Sequence, residues 1–233
     1  MSDRKMDKSR IETPAREMVL RDIAEAIINI AGNARITLVA IDGVDGAGKT
    51  TFADELAPKL RAAGKPVIRA TVDAFHQPRA IRYRLGRSSP EGFFRDSYDY
   101  AALKRALLDP LRAGGSQTYR RAIFDVEADN AVDASGEAAV PGSILLFDGI
   151  FLHRFELRDY WHFSIFLDVP WENNHHLSKR PSWAISLPDP STPDHRYAEG
   201  QRIYFRECNP KRAASVVIDN ADLANPVILD RRR

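Results

Sequence analysis

The eight residues Gly43-Val44-Asp45-Gly46-Ala47-Gly48-Lys49-Thr50 constrain this chain more than any other stretch, because they match G-x-x-x-x-G-K-[ST] with no mismatch. Such a run has a use only between a strand and a helix. Its glycines let consecutive backbone N–H groups turn inward toward an anion, and the positive end of the following helix points at the same spot. The flanks meet that requirement. Ile36 to Ile41 is a continuously apolar, β-branched run, the pattern of a strand buried on both faces of a parallel sheet. After the loop the pattern predicts a helix to about Ala63, closed by Gly64, and then a strand from Pro66 to Val72. Gly43, Asp45, Gly46, Ala47, Gly48, Lys49, Thr50 and Thr51 are therefore the expected phosphate-binding set of a nucleotide such as ATP. Lys49 would reach the terminal phosphates, and the Thr50 hydroxyl would be a ligand for Mg²⁺.

The remaining elements repeat the alternation. Thr13-Pro14 reads as an N-cap with proline at the first helical position, and Val19, Ile23, Ala26, Ile27 and Ile30 recur at helical spacing up to Gly32. Leu103, Leu107 and Leu111 mark a helix from Asp99 to Arg112, followed by a hairpin around 119–132. Ser143–Phe147, Phe163–Leu167 and Ser215–Ile218 look like three more buried strands. Strands alternating with helices predict a doubly wound, mostly parallel five-stranded α/β sheet with its ligand site at the carboxyl ends of the strands. Residues 1–12 lack periodicity and are expected to form a flexible tail, leaving 13–233 as a single domain. Residues 179–200 turn to Pro, Ser, Asp and Trp, the composition of a lid.

Composition removes several function classes. Lys and Arg number 34 against 32 acidic residues, a net +2 too small to predict nucleic-acid binding. No apolar stretch approaches the ~20 residues that span a bilayer, so no membrane partner is expected. The single Cys208 can form no internal disulfide and reads as a small hydrophobe in a reducing cytoplasm. A homo-oligomer is compatible with the sequence.

Two acids complete the expected site. Asp148 ends the apolar run Ile144-Leu-Leu-Phe147, where it would hold Mg²⁺ directly or through water. Asp73 falls at the end of the second strand, in Thr71-Val-Asp73-Ala-Phe75-His76, and in a parallel sheet that end opens onto the crevice that holds the phosphates. A carboxylate there can take the proton of an attacking hydroxyl. Phe75 and His76 would line the acceptor pocket. Asp168 ends another strand and is expected to cap a helix. Arg79, Arg82, Arg84, Arg87 and Arg95 face only Glu91 and Asp96 within residues 74–97, a local positive field that could meet an anionic acceptor. His153 and His162 are read as packed or exposed, without a functional partner.

From about Thr37 to Asn220 these residues resemble the uridine kinase and phosphoribulokinase family of phosphate-loop kinases. The likeness rests on Asp73-Ala-Phe75-His76 for the family's D-x-F-[YH], on Asp148-Gly149-Ile150, on Lys179-Arg180 and Arg196 as lid cations, and on the closing stretch Gly200–Tyr204, Cys208-Asn-Pro210 and Ser215–Ile218. The resemblance implies Mg-ATP-dependent phosphorylation of a small metabolite's hydroxyl, strand order 2-3-1-4-5, Asp73 as catalytic base and Arg180 or Arg196 over the transferred phosphoryl group. Tyr119, Arg120 and Arg121 stand where the family reads its base, although the accompanying His is missing. Phe93 replaces the Asp that would bind a ribose. A nucleoside is the first acceptor this likeness suggests, with a sugar, sugar phosphate or hydroxy acid as the alternative. A nucleotide-dependent switch is the reading from another class, against which stands the missing N-K-x-D motif.

Overall fold

Seven consecutive buried residues, Thr37–Gly43, form a central strand, as the uninterrupted apolar run requires. The computed structural model describes residues 13–32, 35–170 and 193–232. Along the chain the strands are β1 (Thr37–Gly43), β2 (Val67–Thr71), β3 (Thr118–Tyr119), β4 (Phe124–Asp125), β5 (Asn130–Ala131), β6 (Glu137–Ala138), β7 (Ile144–Asp148), β8 (Phe163–Asp168), β9 (Val216–Asp219) and β10 (Val227–Arg231). Six of them make one sheet in the order β10-β9-β8-β1-β7-β2. All its pairs are parallel except β9 with β10. Counted within the sheet, the strands run 2-3-1-4-5-6, so six stand where five were expected. The added β10 is an exposed edge strand whose short apolar run, Val227-Ile-Leu229, stays largely outside the core.

The two faces of the sheet separate by residue parity. Leu38, Ala40, Leu145 and Phe147 point into one apolar cluster, and Val39, Ile41, Ile144 and Leu146 into the other. Helices cover both sides. α1 (Pro14–Ile30) is capped by the Thr13 side chain, and with α2 (Lys49–Ala62) it packs on the second face. The first face is covered by residues of α4 (Pro90–Asp96), α5 (Tyr100–Leu103), α6 (Asp109–Leu111) and α7 (Pro193–Cys208); the short α3 (Arg79–Arg82) precedes α4, and α8 (Pro210–Ala213) leads into β9.

Two expectations between 74 and 138 change form. The segment 74–97, read as irregular, contains α3 and α4. The helix expected over 99–112 is broken by a π turn at Lys104–Leu108. Pro110 explains the break, because it has no N–H to donate to the carbonyl four residues back and its ring crowds that oxygen. The freed Ala106 oxygen accepts instead from Arg120 N at 2.8 Å, which fastens the following hairpin to the helix. That insertion consists of two antiparallel pairs, β4 with β5 and β3 with β6. The tail at 1–12, Arg180 and most of the expected lid lie outside the described residues, as does any helix that Asp168 would cap; the Asp168 carboxylate pairs with Lys211 at 2.6 Å.

Candidate active site

The carboxyl ends of β1, β2 and β7 meet at a cleft of about 320 Å³ lined by Gly46, Lys49, Thr50, Asp73, Tyr98 and Asp148, among others. Gly48 caps α2 in the left-handed region at φ 80°, and Gly46 has φ 75°, conformations that cost a residue with a Cβ but not glycine. This turns the loop around the N-terminus of α2. Lys49 donates to the Val44 carbonyl at 2.8 Å, so its ammonium spans the loop. Burial pulls the Lys49 pKa below its ordinary value, while the negative charges of Asp45, Asp42, Asp73 and Asp148 oppose that pull.

Thr50 and Asp148, far apart in sequence, are adjacent here. The Thr50 hydroxyl donates to Asp148 Oδ2 at 2.7 Å, while Asp148 Oδ1 is held by Arg69 Nη1 at 2.8 Å. Arg69 also reaches Asp54 and the Leu146 carbonyl, so it fixes the acid from the edge strand β2. The residue after the acid must be glycine for a local reason. A Cβ on Gly149 would collide with the Val72 side chain, so its absence lets the end of β7 approach the 3₁₀ turn Val72–Phe75 that carries Asp73.

Asp73 is exposed at the cleft, and Tyr98 donates to its Oδ1 at 3.2 Å. Tyr98 is buried, and burial followed by the nearby Asp73 charge raises its pKa well above the ordinary phenol value. The phenol therefore stays protonated and is the donor. His76 packs against Tyr98 with ring centroids 4.6 Å apart and the rings tilted by 49°, and places Nδ1 2.8 Å from the Asp73 carbonyl. Burial lowers the His76 pKa, which favours the neutral ring.

Several sequence-predicted residues are placed elsewhere. Phe75 is fully enclosed in the core, 6.2 Å from Phe147, and does not line the cleft. Tyr119 is buried, Arg120 is exposed, and Arg121 pairs with Glu137 on the hairpin. Arg196 is buried, donates to the Arg87 carbonyl at 3.0 Å and stacks over Tyr83 and Phe93. The expected positive field is largely paired: Arg82 with Asp129, Arg84 with Asp96, and Arg95 with Glu91 and Glu207. Two of those partners, Asp129 and Glu207, come from outside the segment, beyond the reach of a local charge count. Cys208 fits its expected role, since burial pushes its thiol up to about 11.

Sequence reasoning missed the braces behind the loop. Asp42, the residue before Gly43, is fully buried, and its carboxylate accepts from Gly43 N at 2.7 Å, His153 Nδ1 at 2.7 Å and the Tyr204 hydroxyl. His153 thus has a partner after all, and His162 Nδ1 accepts from Leu38 N. Gln201 Oε1 accepts from Asp45 N at 2.9 Å, and Asn220 donates to the Ala47 carbonyl at 2.8 Å. Only Asp42 carried a signal, as an acid inside an otherwise apolar strand.

The sequence model described as "Phosphoribulokinase / Uridine kinase family" matches residues 38–180, more than half of the chain. The chain belongs to this family. It is an ATP-dependent small-molecule kinase, with the phosphate loop, Asp73 and Asp148 all inside the matched span. The fold is similar to that of a possible uridine kinase from Bacillus stearothermophilus, at 24% identity and TM-score 0.69, covering 86% of this chain and 97% of that one. A putative fructose transport system kinase from Silicibacter sp. TM1040 is similar at 23% identity and TM-score 0.56, over 84% of this chain and 94% of the other. The YGR205w protein has 12% identity and TM-score 0.59, over 94% and 97%. No curated protein matches the chain significantly. Among the described residues no helix is long and apolar enough to cross a membrane.

Proposed function

We propose that this family member moves the γ-phosphoryl group of Mg-ATP to a hydroxyl of a small metabolite, with Asp73 as the base. The observation that carries the proposal is the position of the Asp73 carboxylate. It lines the same cleft as Lys49 and Thr50, with one oxygen held by Tyr98 and the other left to accept a proton. Lys49 and the loop amides bind the phosphates. Thr50 Oγ1 and Asp148 Oδ2, two hard oxygens 2.7 Å apart on the cleft wall, fit a magnesium ion. Charge gives a second reason for a cation, since Asp45 and Asp73 add negative charge around Lys49, while Arg69 already offsets Asp148. When bound, Mg²⁺ neutralises charge developing on the phosphates. Arg196 acts as a strut between α7 and the 79–97 segment.

For the acceptor, family membership makes a nucleoside the first candidate. A sugar, sugar phosphate or hydroxy acid is the second reading, favoured by Phe93. Where the family likeness would place a ribose-binding carboxylate, Phe93 is buried against Phe151 at 5.2 Å and Tyr197 at 4.8 Å. ADP production with Mg-ATP against a panel of nucleosides, sugars and hydroxy acids tests both readings, with Asp73→Asn as control. Stimulation by one acceptor class, lost in the control, is expected; ATP turnover that no acceptor accelerates would sink the transfer reading and favour a switch.

A further inference from the structure

The outer side of the phosphate loop is gripped by one helix. Gln201 and Tyr204 lie three residues apart on α7, so they share a helix face, and both are buried. Gln201 has both ends of its amide engaged, because Nε2 donates to the Tyr197 carbonyl at 3.1 Å while Oε1 takes the Asp45 N–H. Its orientation is therefore set from within α7. Tyr204 donates to Asp42 and accepts from His153 N at 2.8 Å, joining α7 to the root of the loop and to the chain that follows Asp148. The Asp42 carboxylate also accepts from Leu152 N at 3.1 Å, so three separate segments converge on one buried charge.

We infer that Gln201 and Tyr204 are positioning residues for nucleotide binding, through which α7 sets the conformation of the phosphate loop; this rests on the reading that the loop takes a nucleoside triphosphate. The reason is conformational. The loop's amides converge on an anion only in one backbone arrangement, and the glycines that permit it also permit many others. Something outside the loop must select among them. Asp45 N immediately precedes Gly46, and a hydrogen bond there fixes the residue before the left-handed turn. Asp42 fixes Gly43 N at the other end of the same four residues, and Tyr204 in turn orients Asp42. Neither α7 side chain lines the cleft, so each acts on the nucleotide only through the loop.

The test is calorimetric titration of the full chain with Mg-ADP and Mg-ATP, without acceptor, so that no knowledge of the acceptor is needed. Gln201→Met keeps length and volume but loses the acceptor oxygen. Tyr204→Phe keeps the ring, which packs against Phe151 at 5.1 Å and Phe205 at 6.1 Å, and loses only the hydroxyl. Each is expected to weaken binding ~5-fold, and the pair together ~20-fold, as the loss of one ordering hydrogen bond apiece implies. Faster hydrogen exchange of loop amides 44–47 in the nucleotide-free variants should accompany the loss. Arg202→Ala, on the exposed side of α7, should bind as wild type. Variants that melt cooperatively and bind both nucleotides as tightly as wild type would overturn the inference while leaving the kinase reading intact. Wild-type protein that binds neither nucleotide would overturn both. Gln201 bonds the loop at Asp45 and Tyr204 reaches it through Asp42, so either variant that folds decides the matter.

Discussion

The phosphate side and the acceptor side of this cleft are built by opposite strategies. The phosphate side is one contiguous motif, held from behind by buried groups: Asp42, Gln201 and Asn220 each bond the backbone of residues 43–47. The acceptor side is assembled from pieces. Asp73 sits on a four-residue 3₁₀ turn, Tyr98 follows a seven-residue helix, and the adjoining hairpin has strands of two residues each. Two of its ion pairs, Arg95–Glu91 and Arg121–Glu137, are exposed and contribute little to stability. An anion common to every substrate can be read by a rigid backbone, whereas an acceptor is read by side chains that several segments must bring together.

Substitutions on the two sides should therefore fail differently. The largest effect is expected from Asp73→Asn, which still accepts the Tyr98 hydrogen bond but takes no proton; transfer should fall by up to about 10⁴-fold. Nucleotide affinity should stay within about twofold, and a titration that shows more would mean that Asp73 belongs to the phosphate side. Lys49→Ala should lower transfer by about 10²–10³-fold and also weaken Mg-ATP binding by about tenfold or more. Unchanged nucleotide affinity in that variant would remove Lys49 from the phosphates.

What could be read from sequence follows the same division. Lys49, Thr50, Asp73 and Asp148 could be named because each follows or ends a strand of the parallel sheet, which gathers those ends at one edge. β10 and the π turn could not: one depends on a neighbouring edge, the other on Pro110 acting in a helix that a hydrophobic count still reads as continuous. Phe75 was misplaced because Asp73, in the same turn, lines the cleft, and a 3₁₀ turn sends its side chains in different directions. Tyr98, Gln201 and Tyr204 carry no local pattern, since each matters through a contact with a residue at least 25 positions away. The paired arginines teach the converse, a cluster that looked free until distant acids closed it.

Arg196 sharpens the comparison on the stability side. Its guanidinium is buried among Tyr83, Phe93 and the Arg87 carbonyl, so Arg196→Ala removes packing and a hydrogen bond together. We expect a loss of about 2 kcal/mol in denaturant unfolding, with most transfer activity kept by the folded fraction. An unchanged unfolding midpoint with transfer reduced a hundredfold or more would instead make Arg196 a cation of the transition state.

The smallest effect concerns the orientation of the base. Tyr98→Phe keeps the ring packed against His76 and removes only the donor to Asp73 Oδ1. If that bond holds the carboxylate so that its second oxygen faces the acceptor, its loss lets the side chain rotate and should lower kcat about five- to tenfold. KM for ATP should not change, because nothing on the phosphate side is touched. Using the acceptor that the panel identifies, steady-state kinetics separates the two constants. A variant with wild-type kcat would reduce Tyr98 to packing and leave Asp73 oriented by the 3₁₀ turn alone; a rise in KM for ATP would show that the two sides of the cleft are coupled through this hydroxyl.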